Sequence, residues 1–272
     1  MTLSRRPRPS LRPFIDLLWA SISDAAPAPP KSRRELVLPT GAMHVVFRLE
    51  EAPLRLYADQ DDRLGESVGT SLIGGARASA YIKDVANPVP TVGAMLRPGA
   101  VEFLSRIPAI ELAGRHTRMD DIWPSPVVSD IVDRLRGTPR AAERLNLLED
   151  FLAARLPHVH AIHPLVAHAL GRFDACVPVG HVVAETGYSQ RHFTRIFTEC
   201  VGLGPKTYCR VRRFGRVLDR MTADPLSQLA DLAAAEGYAD QAHLTREFRA
   251  LAGVTPTTYM IVAPTARHHV PI

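Results

Sequence analysis

Apolar residues in the first hundred positions come in short runs: LVLPTGAMHVVFRL, LRLYA, VGTSLIGG, SAYIKDV and TVGAML, bounded by Gly, Pro, Asn and Asp. Runs of that length with those punctuators predict a sheet of several short strands. The proline-rich APAPPKS reads as a loop between the opening segment, around Trp19, and the next strand. From Pro98 the spacing changes. PGAVEFLSRI, SPVVSDIVDRLRG and TPRAAERLNLLEDFLAARL repeat apolar residues at three- and four-residue steps, which predicts helices. In the last of these Leu145, Leu148, Leu152 and Leu156 share one face. That face suits an ordinary core helix; the sharper alternative is a pairing surface or a route for ligand state. LPHVHAIHP then breaks the pattern with prolines at both ends, which puts a domain boundary near residue 160.

Beyond that boundary the pattern is helical throughout: PLVAHALGRF, VGHVVAET, SQRHFTRIFTEC, PKTYCRVRRFGRVLDRM, LSQLADLAAAE, DQAHLTREFRALA and PTTYMIV. Within it GYSQRHFTRIF at 187–197 is nearly repeated as GYADQAHLTREF at 237–248. Phe193, Arg195, Phe197, Gly202, Pro205 and Tyr208 are answered 51 positions later by Leu244, Arg246, Phe248, Gly253, Pro256 and Tyr259, whereas the Gly-Tyr pairs are 50 apart. The second copy therefore carries one extra residue in its turn. Self-similarity at a fixed offset marks one supersecondary unit used twice. Each copy is a short helix, a Gly-containing turn and a second helix, the helix-turn-helix arrangement. Ser189 and Asp240 occupy the N-cap positions of the second helices.

The expected fold is two-domain. An N-terminal α+β domain (1–157), a short-stranded sheet followed by helices, precedes an all-α domain (158–272). The latter holds helix-turn-helix 1 at about 179–201, a linker helix at about 205–221 and helix-turn-helix 2 at about 226–252.

Hydrophobic residues make up 46% of the chain and charged residues 22%, an ordinary soluble mixture that points to a cytoplasmic protein. No apolar run is long enough for a membrane span, and FIDLLWA is too short and too acidic for a secretory signal. Three cysteines without CxxC spacing argue against a disulfide framework or a zinc cluster. The net charge of +5 matters once it is located. Residues 187–222 carry eight Lys/Arg against Glu199 and Asp219, a surplus of +6, so the remainder sums to −1. Such a confined surplus suggests a polyanion footprint.

On the face away from Phe193, Ile196, Phe197 and Cys200 lie Gln190, Arg191, Thr194 and Arg195; Gln241, Thr245 and Arg246 answer them in the second copy. Arg reads guanine bidentately, Gln reads adenine, and Thr bonds a base edge or touches a thymine methyl. The linker adds Arg210 and Arg213 as phosphate positioners. Its 17 residues span about 26 Å, against roughly 34 Å between successive major-groove faces on one side of a duplex. One chain can therefore set two reading heads into adjacent grooves of double-stranded DNA.

GYSQRHFTRIF…VGLGPKTYCRVRRFGRVL and GYADQAHLTREFRALAGVTPTTY resemble the two halves of the AraC-type DNA-binding domain, over roughly residues 160–262. The resemblance implies a transcription regulator whose base readers are Arg191, Thr194 and Arg195 in the first half and Gln241, Thr245 and Arg246 in the second. RNA polymerase is a partner such regulators imply. Two positions depart from the family pattern. Gly204 stands where Ser or Thr usually caps the linker helix, and Gly215 sits inside it at about 1 kcal/mol relative to Ala. Both predict a softer linker. LRPFIDLLW, ELVLPTGAMHVVF, MLRPGAVEFL and IPAIELAG resemble an uncharacterised N-terminal domain joined to a subset of these regulators. Such domains commonly sense a small molecule or mediate pairing, which implies an effector of unknown identity or a homodimer.

Two rival readings remain. An architectural DNA binder without sensing would use the same charge. A DNA-alkylation repair enzyme carrying this module needs a cysteine cluster, and the first 175 residues hold no cysteine. No GxSxG, P-loop or post-strand GxGxxG is present, and histidines 158, 160, 163 and 168 match no zinc pattern. The expectation is a regulator with no catalytic activity, no metal and no cofactor.

Overall fold

A computed structural model describes residues 2–21, 33–156, 161–264 and 266–272. The proline-rich segment at 26–32, and His158 and His160 at the expected boundary, lie outside the described residues. The first half is built on β1 (Thr2–Arg5), β2 (Ile15–Ser21), β3 (Arg34–Val37), β4 (Met43–Arg48), β5 (Leu54–Tyr57), β6 (Glu66–Gly69), β7 (Ser71–Gly74), β8 (Tyr81–Asp84), β9 (Thr91–Leu96) and β10 (His116–Arg118). Helices α1 (Val101–Ser105) and α2 (Ala109–Leu112) precede β10; α3 (Ser125–Gly137) and α4 (Ala141–Ala153) follow it.

One sheet runs β1-β2-β9-β4-β7-β10 in space, with antiparallel neighbours. In its central strand β4, Met43, Val45 and Phe47 are buried while His44, Val46 and Arg48 on the other face are partly exposed. The apolar face needs a cover, and α4 supplies it: Phe151 meets Phe47 edge-on at 5.9 Å. Leu145, Leu148 and Leu152 are 0% exposed and Leu156 is 9%. The leucine face is therefore core. A pairing surface on this face is ruled out, because the sheet that follows from the first hundred residues already occupies it. The basic leader forms edge strand β1 and docks on the acidic side of α4. Arg5 pairs with Glu149 at 2.7 Å and Arg8 with Asp150 at 2.7 Å.

The second half contains the seven expected helices: α5 (Pro164–Asp174), α6 (Val179–Thr186), α7 (Gln190–Val201), α8 (Pro205–Ala223), α9 (Leu229–Ala235), α10 (Gln241–Ala252) and α11 (Pro256–Val262). Then comes a strand the periodicity did not foretell, β11 (His269–Pro271). It joins the second sheet, ordered β11-β3-β8-β5-β6. Three residues with one buried side chain, Val270, are too short for a period-2 signal, and their partner is more than 230 positions upstream.

β11 is one of several bonds across the junction. Ala80 N–H donates to the Leu251 carbonyl at the end of α10 (2.7 Å). Gly202, at φ +86° after α7, lies so close to Met43 and Ala109 that a Cβ there would sit 2.7 Å from the Met43 methyl. α2 lies along α7. One continuous apolar core links the two halves.

Candidate nucleic-acid interface

The two copies fold alike, position by position. Helix α6 ends on Gly187 in the left-handed conformation (φ 71°), and α7 begins after Ser189, whose hydroxyl accepts the His192 amide at 3.3 Å. In the second copy Gly237 (φ +72°) follows α9, and Asp240 accepts the His243 amide at 2.6 Å. Both N-caps are those the sequence indicated. Phe193 and Leu244, then Phe197 and Phe248, are all 0% exposed. Gly202 and Gly253 both end their helices at positive φ, where any other residue would be strained. Buried Pro205 and Pro256 then start the next helix, and Tyr208 and Tyr259 are both 3% exposed.

With those anchors inside, the opposite residues face out. Gln190, Arg191 and Arg195 on α7 are exposed, as are Gln241 and Arg246 on α10; Thr194 and Thr245 are half-buried. Arg191 and Arg246 have no hydrogen-bond or ion-pair partner among the described residues. Arg195 is held by Glu199 one turn on (3.1 Å), an exposed pair worth about 0.3–0.5 kcal/mol. A phosphate or base edge can displace so weak a bond. The Thr245 hydroxyl donates to the Gln241 carbonyl at 2.9 Å, and its oxygen keeps its lone pairs to accept with. Gln190 and Thr194 line a shallow cleft of about 260 Å³ with Lys206 and Thr207 at the start of α8.

Arg210 and Arg213 are placed differently. Arg210 makes a bidentate pair with Glu247 on α10 (2.7 and 2.8 Å). The Arg213 guanidinium lies 5.2 Å from the Tyr238 ring centroid, and its Nη1 donates to the Gly237 carbonyl at 3.4 Å. Both fasten the linker helix to the second head. The helix itself runs unbroken through Gly215, and Gly204 supplies no side-chain cap, as expected.

Glu236, 8% exposed, carries Arg216 (2.8 Å) and Arg220 together. In the first head Glu185 likewise takes Arg172 and His168, and Arg172 is the main reason its carboxyl sits below the usual range. In each copy the preceding helix, α5 or α8, thus grips a carboxylate at the end of the first helix with two basic side chains four residues apart. That i, i+4 spacing was visible in the sequence, but the distant carboxylate was not.

These bonds correct the charge count. Of the eight basic residues in 187–222, Arg195, Arg210, Arg212, Arg216 and Arg220 are ion-paired. Arg195 pairs with Glu199 inside that window, whereas the partners of the other four, Glu247, Asp174 and Glu236, lie outside it. A sequence window counts only charges adjacent in the chain, whereas folding brings acids from three other elements. The cationic footprint is narrower than +6 and rests mainly on the reader faces and Lys206.

The tyrosines of the two turns also differ. Tyr188 is 47% exposed and stacks on His192 at 4.9 Å, whereas Tyr238 is 6% exposed beneath Arg213. The extra residue in the second turn accompanies this inward rotation.

Between the halves lies a cavity of about 910 Å³. Met95, Ile162, Leu170 and Val211 give it apolar wall, and Arg12, Arg97, Arg212, Arg216 and Arg267 give it a basic rim. Arg97, Arg212 and Arg267 are paired with Asp16, Asp174 and Asp219. His268 also lines it, with a buried Nδ1 that has no hydrogen-bond partner among the described residues, and burial beside Arg267 lowers its pKa to about 4.

Residues 182–260 match a helix-turn-helix domain family, and residues 4–118 match a domain of unknown function, DUF6597. Among solved structures the chain is similar to an apo variant of ToxT from Vibrio cholerae strain SCE256. That likeness has 11% identity and a TM-score of 0.47, covering 96% of this chain and 100% of that one. It is also similar to ToxT from Vibrio cholerae O395 bound to (E)-4-(8-methylnaphthalen-1-yl)but-3-enoic acid, at 10% identity and TM-score 0.45, covering 85% and 97%. No curated protein matches the chain. No helix among the described residues is long and apolar enough to cross a membrane.

Proposed function

We propose that the protein is a sequence-specific transcription regulator of the AraC type, since residues 182–260 match a helix-turn-helix domain family and follow a strand-rich N-terminal domain. In this reading α7 and α10 enter adjacent major-groove segments of double-stranded DNA, and no catalytic step is involved. The observation that carries it is the repeated frame. Two helices present Gln, Arg and Thr outward at matching positions, with their apolar anchors fully buried and their leading ends exposed. A solvent face would not need the same chemistry twice.

The N-terminal domain modulates this binding through a small molecule, and the junction cavity is where it acts. The cavity touches strands of the first domain, α5 and the linker helix, so an occupant contacts both halves. Modulation requires different affinity for two arrangements of those halves. A metabolite screen by thermal shift tests this; if no compound shifts melting or DNA affinity, an architectural role replaces it.

Selection on random duplex DNA tests the main reading, with failure to enrich any sequence overturning it. On the selected duplex, Arg191→Ala and Arg246→Ala are each expected to lose about 1–3 kcal/mol of discrimination at separate base positions. Arg213→Ala is expected to loosen the second head, lowering its melting temperature along with its affinity. A mismatch panel measured by fluorescence anisotropy separates these cases. Identical profiles for all three variants would remove the assignment of readers.

A further inference from the structure

The N-terminal domain touches the two heads at the same point of the repeat. After α7 Gly202 sits on Met43 and Ala109. In the last turn of α10 the Leu251 carbonyl accepts the Ala80 amide (2.7 Å), and Gly253 just after it lies against Leu36. These contacts grip the trailing ends of the reading helices. Gln190 and Gln241 lead helices of twelve residues, about 18 Å away. Docking therefore leaves the reader faces open and cannot act by blocking DNA. What it does constrain is the position of one head relative to the other.

The chain's last strand fastens this arrangement. Leu38 N–H donates to the His268 carbonyl at 2.8 Å, and Ile272 N–H to the Arg34 carbonyl at 3.0 Å. Pro271 stands opposite Glu35 between those bonds, at a position where its missing N–H forfeits no ladder bond. Val270 is 1% exposed opposite Leu36, and the Glu35 carboxylate joins His269 (3.0 Å) and Lys83 (2.9 Å). On the other side the tail holds the DNA-binding half. Tyr259 donates to the Arg267 carbonyl at 2.9 Å, and Arg267 pairs with Asp219 of the linker helix. The linker is ion-paired to the second head through Arg210, Arg216 and Arg220, but on the first side only through Arg212 to Asp174, among the described residues.

We propose that the N-terminal domain, strapped to the heads by residues 266–272, fixes the spacing between the two DNA segments the protein accepts. The strap is a specificity determinant that touches no base. This rests on the reading of α7 and α10 as DNA readers. Because Arg267 and His268 also line the junction cavity, an occupant there bears on the strap directly.

The test uses duplexes selected by the full-length protein, then variants with one or five base pairs inserted between the half-sites. A one-base-pair insertion is expected to weaken the full-length protein about tenfold and the 266–272 deletion about threefold or less, since a loosened pair of heads re-engages both segments. Should the deletion fail to fold, Val270→Ser replaces it, with rapid hydrogen exchange of the Leu38 amide reporting that the strand has detached. Conversely, a Val37→Cys/His269→Cys pair, oxidised to lock the strap, is expected to keep the full penalty. An unchanged penalty in a folded, detached variant overturns the proposal. If the full-length protein selects no duplex at all, it is the reading of the heads that fails.

Discussion

Lowering the pH from 7 to 5 is expected to destabilise the protein by several kcal/mol, well before its carboxylates titrate. Three imidazoles are held neutral in the fold. Burial, then the charges of Lys83, His269 and Arg77, pushes His44 down to about 4. Burial, with His44, Arg77 and Lys83, pushes His116 to about 3. Burial beside Arg267 and His269 brings His268 to about 4. In the unfolded chain each titrates near 6.5. Below that value the unfolded state binds more protons than the folded one, so stability falls with pH, and the loss saturates only beneath the folded values. Each histidine contributes about 1–2 kcal/mol of loss between pH 7 and 5. Glu35 acts elsewhere. Burial alone would raise its pKa, but the hydrogen bond from His269 and the charge of Lys83 hold it at about 2, so its contribution is lost progressively as pH falls from about 4.5 to about 2. Urea unfolding at both pH values, followed by tryptophan fluorescence, measures the difference. His44→Gln should flatten part of it, and equal midpoints at pH 7 and 5 would contradict the neutral imidazoles.

Phe248→Ala in the second head is expected to cost about 3–5 kcal/mol, the usual range for emptying a buried aromatic site. Phe248 is 0% exposed, with Phe214 at 5.0 Å and Tyr259 at 5.7 Å, both edge-on. The informative part is where the loss registers. Both tryptophans, Trp19 and Trp123, lie in the N-terminal half. Because one apolar core and the β11–β3 pairing join the halves, their fluorescence should shift to a lower denaturant midpoint together with helical circular dichroism. A tryptophan transition that stays put while the helical signal moves would mean that the halves unfold separately.

The second half was readable from sequence because its determinants are local. Caps at Ser189 and Asp240, glycines at 187, 202, 237 and 253, and anchors such as Phe197 and Phe248 each act within one or two turns of helix. The six-fold offset of 51 then supplied the frame for the reader residues. The first half was readable as strands but not as sheets, since the pairing of β4 with β9 or of β3 with β8 joins residues some fifty apart with no marker of register. Three features escaped for one shared reason. The basic leader meeting Glu149 and Asp150, the acids that neutralise Arg210 and Arg216, and the Val270 strand all depend on partners far along the chain. The Arg210–Glu247 pair shows the limit most plainly. Both residues were in view, and only their separation of 37 positions hid that one is the other's counter-ion.

The step from a Gly-Tyr offset of 50 to a downstream offset of 51 confines the length difference between the two copies to the turn. Buried Val182 and Leu232 before the turn, and Phe193 and Leu244 after it, keep their environments. An inserted residue could survive there because a turn lengthens without shifting an apolar anchor on either side. The two tyrosines take different places: Tyr238 lies buried against the linker under Arg213, while Tyr188 is at the surface. The two units are alike but not interchangeable. A chimaera built from two first-type turns would keep both cores and lose the seat of Arg213, so the interior carries what the units share and the joint what separates them.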